Sequence, residues 1–301
     1  MTPNEWCIDG MRQHAVDEAQ EAALEKARRE RRHALIYPRE HGAWGLLLVP
    51  MVTGAGIAFR ESRNVFPFLL LLTAALAIFW LRTPLESLLR TSAIRVQTQD
   101  ERRAVILVIL ALGAIAGLTL GTLLWGGRNP VLWLIGAAAG VTFVGQALLK
   151  KLGRRWRMLS EIVGTVGLTS SGAASYYVIT GKFGATAWLL WLVNLLFAGN
   201  QIHYVQLRIH TARVEDRRAK FGRGWTFAVG QVVMTAGLAI ICQRGLLPWI
   251  ALIAFVPLLF RGWVYFFKKP APLVVRRLGW NELTQAAVFC VLLIAALALA
   301  K

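Results

Sequence analysis

At 301 residues, 56% hydrophobic and only 17% charged, the chain is too apolar for a water-soluble domain and long enough for many membrane spans. Its formal net charge of +18 would suggest nucleic acid in a soluble protein. Here the Lys and Arg residues fall mainly between apolar runs, so no nucleic-acid partner is expected, and the charge reports topology instead.

Residues 1–34 form a charged tail without the apolar centre of a signal peptide, and they are expected to stay on the protein in the cytoplasm. Within the tail, residues 13–33 favour a solvated helix. Asp17, Glu18, Glu21 and Glu25 come early, while Lys26, Arg28, Arg29, Arg31 and Arg32 come late, as the helix dipole prefers. At Tyr37-Pro38-Arg39-Glu40-His41-Gly42-Ala43-Trp44-Gly45 the tail gives way to membrane, with a carboxylate and an imidazole at the boundary.

Apolar runs of spanning length follow near 42–59, 65–82, 104–125, 131–149, 161–180, 184–205, 224–243, 247–267 and 281–300. The expected fold is therefore all-α, a polytopic transmembrane bundle of about nine helices spanning residues 35–301. Leu85, Leu88 and Leu89 leave room for the second span to continue beyond Pro84 as a kinked extension. All but six of the 34 Lys and Arg fall in the tail and in alternate loops; the six are Arg60, Arg63, Arg128, Lys182, Arg244 and Lys301. By the positive-inside rule this predicts a multi-pass plasma-membrane protein with a cytoplasmic N-terminus and an external C-terminus.

Glu40, Glu161 and Glu282 each open an odd-numbered span and stand 121 residues apart. That spacing predicts two related four-helix modules, about 40–160 and 161–281, with the ninth helix beginning a third. Cys7, Cys242 and Cys290 have no paired or ligand spacing and are expected to pack structurally.

Polar residues collect at the cytoplasmic helix ends. Arg82, Glu86 and Arg90 recur every four residues at the end of the second span, and Asn200, His203, Tyr204 and Arg208 lie close to one face of the sixth. The fifth span is rich in Gly, Ser and Thr from Gly164 to Ser175, which suits close helix packing or a lined cavity. Ionisable groups near membrane depth normally face the protein interior, water or a partner. Interfacial salt bridges, such as Glu40 or Glu86 with Arg82 or Arg90, are the simpler explanation. Anchoring alone does not account for Asn200, Gln201, His203, Asn281 and Gln285 on the same side.

These residues suggest a cytoplasmic vestibule. Arg82, Arg90 and Arg208 would hold an anion by bidentate contacts, with Asn200 and Tyr204 beside it. Glu40, Glu86 and Glu161 would position a cation or proton, and His41 or His203 would act as acid or base. No ligand spacing identifies a metal site.

Pro38-Arg39-Glu40-His41-Gly42-Ala43-Trp44-Gly45, the later Arg82-Thr83-Pro84-Leu85 and the number of spans resemble the YwiC-like family of bacterial membrane proteins, over about residues 35–300. Helix number and polar ends on the second and sixth spans also resemble the UbiA-type prenyltransferases. That likeness implies an isoprenoid substrate held as its diphosphate through magnesium. Those enzymes carry Asp-rich motifs where this chain has Arg82, Glu86 and Arg90, and no Asp lies between His203 and Arg208. The departure implies direct anion binding and leaves magnesium without its usual ligands. The expected partners are the lipid bilayer and an amphipathic or isoprenoid-type anion, with group transfer an open question. Solute transport and a noncatalytic assembly role are the alternatives.

Overall fold

The computed structural model describes residues 3–38, 41–89, 94–127, 129–214, 216–268 and 273–300. The described residues are helical throughout: α1 (Pro3–Ile36), α2 (His41–Ala58), α3 (Phe66–Leu88), α4 (Gln99–Trp125), α5 (Asn129–Lys151), α6 (Arg157–Thr180), α7 (Ala185–Thr211), α8 (Arg217–Gln243), α9 (Val256–Phe267) and α10 (Val275–Leu299). Short 3-10 helices precede α6 and α9, at Arg154–Trp156 and Trp249–Ala254.

The nine apolar runs correspond one for one to α2–α10. Seven of the resulting segments are long and apolar enough to cross a membrane: α3, α4, α5, α7, α8, Trp249–Phe267 and α10. The apolar part of α2 is shorter, Trp44–Ala58, and α6 is diluted by Thr165, Thr169, Ser170, Ser171 and Ser175. Several helices outrun their apolar runs, because charged residues are good helix formers once the chain leaves hydrocarbon. The second span does continue through Pro84, to Leu88. The eighth is broken into a 3-10 turn and α9, since Pro257 has no N–H to bond the preceding turn.

The chain forms two compact units. One comprises residues 1–39 and 73–119. Within it α1 is exposed along residues 20–30, but Ala34 and Leu35 are buried at its end. The indole of Trp80 donates to the Ile36 carbonyl at 2.9 Å, and the Tyr37 ring stacks on His33 and meets Trp80. The solvated tail helix read from the sequence is therefore solvated along its middle and docked at its C-terminal end. The sequence Thr98-Gln99-Asp100-Glu101 builds a capping box at the start of α4. The Glu101 backbone N–H donates to the Thr98 hydroxyl at 3.2 Å, and the Glu101 carboxylate accepts from the Thr98 and Gln97 amides. The same carboxylate receives Arg31 of α1 at 2.6 Å, and Arg31 also donates to the Arg95 carbonyl.

The other unit comprises residues 40–72 and 120–301. Its centre is α6, which packs against α2, α5 and α7 and is buried from Gly172 to Ile179. Lipid tails are as apolar as side chains, so helices in a membrane are held by close fit and buried hydrogen bonds. Both are present. A Cβ on Gly54 would lie 2.1 Å from the Gly172 carbonyl oxygen, and one on Gly172 would lie 3.0 Å from that of Pro50, so α2 and α6 touch backbone to backbone. The Asn194 amide of α7 donates to Thr53 of α2 at 2.9 Å. Aromatic packing closes the rest, with Phe197 of α7 stacked on Phe289 of α10 at 4.1 Å and Phe255 edge-on to Phe289.

Candidate functional site

The last three turns of α7 carry Gln201, Tyr204 and Arg208 on adjoining positions, and helical periodicity turns all three toward α9 and α10. In α9, Arg261 and Tyr265 are likewise four residues apart. Tyr204, Arg208, Arg261 and Tyr265, together with Glu282 of α10, line a cleft of about 320 Å³. Phe260, Val264 and Leu278 give one side of it an apolar surface.

Arg261 makes a two-pronged ion pair with Glu282, Nη1 to Oε1 at 2.7 Å and Nη2 to Oε2 at 2.9 Å. Its guanidinium lies over the Tyr204 ring, 4.3 Å from the centroid. The Gln201 amide donates to the backbone carbonyl of Glu282 at 2.8 Å. Behind the cleft, Lys220 of α8 is buried at 3% exposure, yet its ammonium has a carbonyl for each of two protons, Tyr265 at 2.7 Å and Lys268 at 3.1 Å. It also sits 3.8 Å above the Tyr265 ring, whose hydroxyl shares a hydrogen bond with Thr211. The Arg208 guanidinium lies 4.9 Å from the centroid of the same ring. The cleft wall is thus built of Arg and Lys steadied on Tyr faces.

Of the residues singled out from sequence, Tyr204, Arg208, Asn281, Glu282 and Gln285 line this cleft. Asn200 is buried one turn earlier on α7, and His203 faces α8, with its ring edge-on to Phe227 and close to Gly230. Glu161 of α6 accepts from Gln206 of α7 at 2.9 Å, which ties those two helices. In the other unit, Arg82 and Glu86 pair with each other along α3 at 3.0 Å, the interfacial salt bridge that the spacing allows. Glu40 and Arg90 lie outside the described residues, as does the side chain of His41. Among the described residues, no three His, Cys, Asp or Glu side chains gather as a metal site would require.

Arg261 and Lys220 were not singled out by sequence reasoning. Arg261 carried a signal, because a lone Arg in the apolar run 247–267 is costly unless paired. Lys220 carried none, since it reads as one more charge of the basic stretch Arg217-Arg218-Ala219-Lys220.

A second polar cluster ends α6. The Tyr176 hydroxyl donates to the Glu61 carboxylate, and Lys182 donates to the same carboxylate at 3.0 Å. These two hydrogen bonds hold the Glu61 carboxyl below its ordinary value, against a smaller opposing effect of burial.

Seven helices of membrane-spanning length and composition, with the buried polar contacts described, make this a polytopic helical integral membrane protein. The model of the YwiC-like protein family matches residues 37–176. No curated protein and no solved structure matches the chain. The matched segment runs from the start of α2 nearly to the end of α6, so the cleft is formed by residues C-terminal to it.

Proposed function

We propose that this YwiC-like membrane protein binds an amphipathic anion, of lipid or isoprenoid type, in the cleft between α7, α9 and α10. The observation that carries this reading is the charge of the lining. Among the described residues that line the cleft, Arg208, Arg261 and Lys268 face a single carboxylate, Glu282. Two positive charges therefore exceed what the wall neutralises, beside the apolar strip of Phe260, Val264 and Leu278. A phosphate-bearing headgroup would satisfy the cations, and its chain would follow the apolar strip into the bilayer.

Arg82 and Arg90 as further anion ligands, Glu40, Glu86 and Glu161 as cation or proton carriers, and His41 or His203 as acid or base belong to this reading on sequence grounds. So do group transfer by analogy with the UbiA-type enzymes, a part for magnesium, and the placing of the cleft on the cytoplasmic side of the plasma membrane. In the test, detergent-solubilised protein is titrated with a short-chain phosphatidate and with farnesyl diphosphate, each with and without magnesium. Saturable binding of either, weakened on the order of tenfold in Arg208→Gln, is the expected result. Absence of binding by the unaltered protein to both amphiphiles overturns the reading.

Solute transport is a second reading, supported by the polar contacts buried among apolar helices, such as Asn194 with Thr53. Flux into proteoliposomes that disappears in Glu161→Gln would place it first.

A further inference from the structure

We infer that Glu282 is a tethered competitor for the anion site, occupying the Arg261 fork that a phosphate group would otherwise engage. This rests on the reading of the cleft as an anion site, and it assigns Glu282 a role in deciding how tightly, and with how many charges, a headgroup binds.

The geometry of the pair is the starting point. A two-pronged contact through Nη1 and Nη2, at 2.7 and 2.9 Å, is the arrangement by which guanidinium binds either carboxylate or phosphate, so one fork serves both. Neither partner is sealed away, for both line the cleft, with side chains 13% and 9% exposed. The Arg261 plane is supported by the Tyr204 ring as well as by Glu282, so it stays aimed at the cleft when the carboxylate is exchanged for another anion. Arg208 and Lys268 line the same space.

Charge then sets selectivity. With Glu282 on Arg261, the cleft offers the net charge of two cations, suited to a phosphate monoester dianion and poorly suited to a zwitterionic headgroup, which brings its own cation. A salt bridge beyond the anion's reach would leave affinity nearly unchanged when its carboxylate was removed. A competitor would not.

The experiment is calorimetric titration of the full chain in detergent, in phosphate-free buffer, with dihexanoyl phosphatidate, dihexanoyl phosphatidylcholine and inorganic phosphate as probes. Glu282→Gln is expected to bind phosphatidate on the order of tenfold more tightly than the unaltered protein. Phosphatidylcholine should bind neither. Inorganic phosphate tightening in parallel and matching phosphatidate in affinity would support the competitor and identify a free anion as the ligand. A phosphate affinity well below that of phosphatidate would support it with a lipid headgroup as the ligand. Should Glu282→Gln fail to fold, Glu282→Asp takes its place, since it keeps the charge while its shorter side chain reaches the Arg261 fork less well. Glu282→Asp is then expected to bind phosphatidate on the order of threefold more tightly than the unaltered protein. Unaltered protein that binds phosphatidate, with equal affinity in Glu282→Gln, or in Glu282→Asp where that replaces it, overturns the inference and leaves the anion site standing. Binding by none of these proteins overturns both.

Discussion

Glu61 offers the clearest case of one residue whose chemistry follows from its neighbours. Tyr176 and Lys182 both stabilise its ionised form, so its carboxyl lies below the ordinary 4.5 in the folded protein. A lowered carboxyl contributes stability that is present above its unfolded value and lost as the pH falls through the folded one. Thermal unfolding in detergent should therefore steepen in its decline below about pH 4.5, relative to Glu61→Gln. Equal pH profiles for the two proteins would remove Glu61 as the cause. Arg208 belongs to the same scale, and its replacement by Gln should cost anion affinity while leaving thermal stability close to that of the parent. Both residues are plain in the sequence as charges; what they face is not. In the sequence Glu61 is only an isolated charge between two apolar runs, because its partners lie 115 and 121 positions away.

At the level of elements, α6 shows how a polar helix is accommodated among apolar ones. Its hydroxyls bond carbonyls one turn back, as Thr165 does to Glu161 and Thr169 to Thr165, and its Gly172 allows backbone contact with α2. Gly172→Val should overpack this junction and lower stability by roughly 1–3 kcal/mol, measurable as a lowered midpoint in thermal unfolding. No change in midpoint would refute the close contact. The start of α4 permits a similar argument. Thr98→Val removes the cap, worth about 1 kcal/mol, whereas Glu101→Gln weakens the cap and the tie to Arg31 together. The second variant should therefore loosen α1, seen as faster proteolysis of the tail. Capping signals are local, so Thr98-Gln99-Asp100-Glu101 could be recognised from sequence; that Arg31 would join it is a contact across 70 positions.

For the molecule as a whole, the uneven distribution of Lys and Arg predicts that reporters fused at the two ends report opposite sides of the membrane, the N-terminal one cytoplasmic. Reporters on one side would contradict a nine-span arrangement. Sequence by itself determined the all-helical membrane class and the order of the helices, because hydrocarbon imposes length and composition on each span separately. It also marked Tyr204 and Arg208 as residues of interest, since polar groups at helix ends are conspicuous against an apolar background. Only the tertiary structure decided that Glu161 meets Gln206, and that Arg261, Glu282 and Lys220 complete the wall around Tyr204 and Arg208. The reason is physical: membrane insertion reads one helix at a time, whereas the pairing of charges depends on which helices become neighbours.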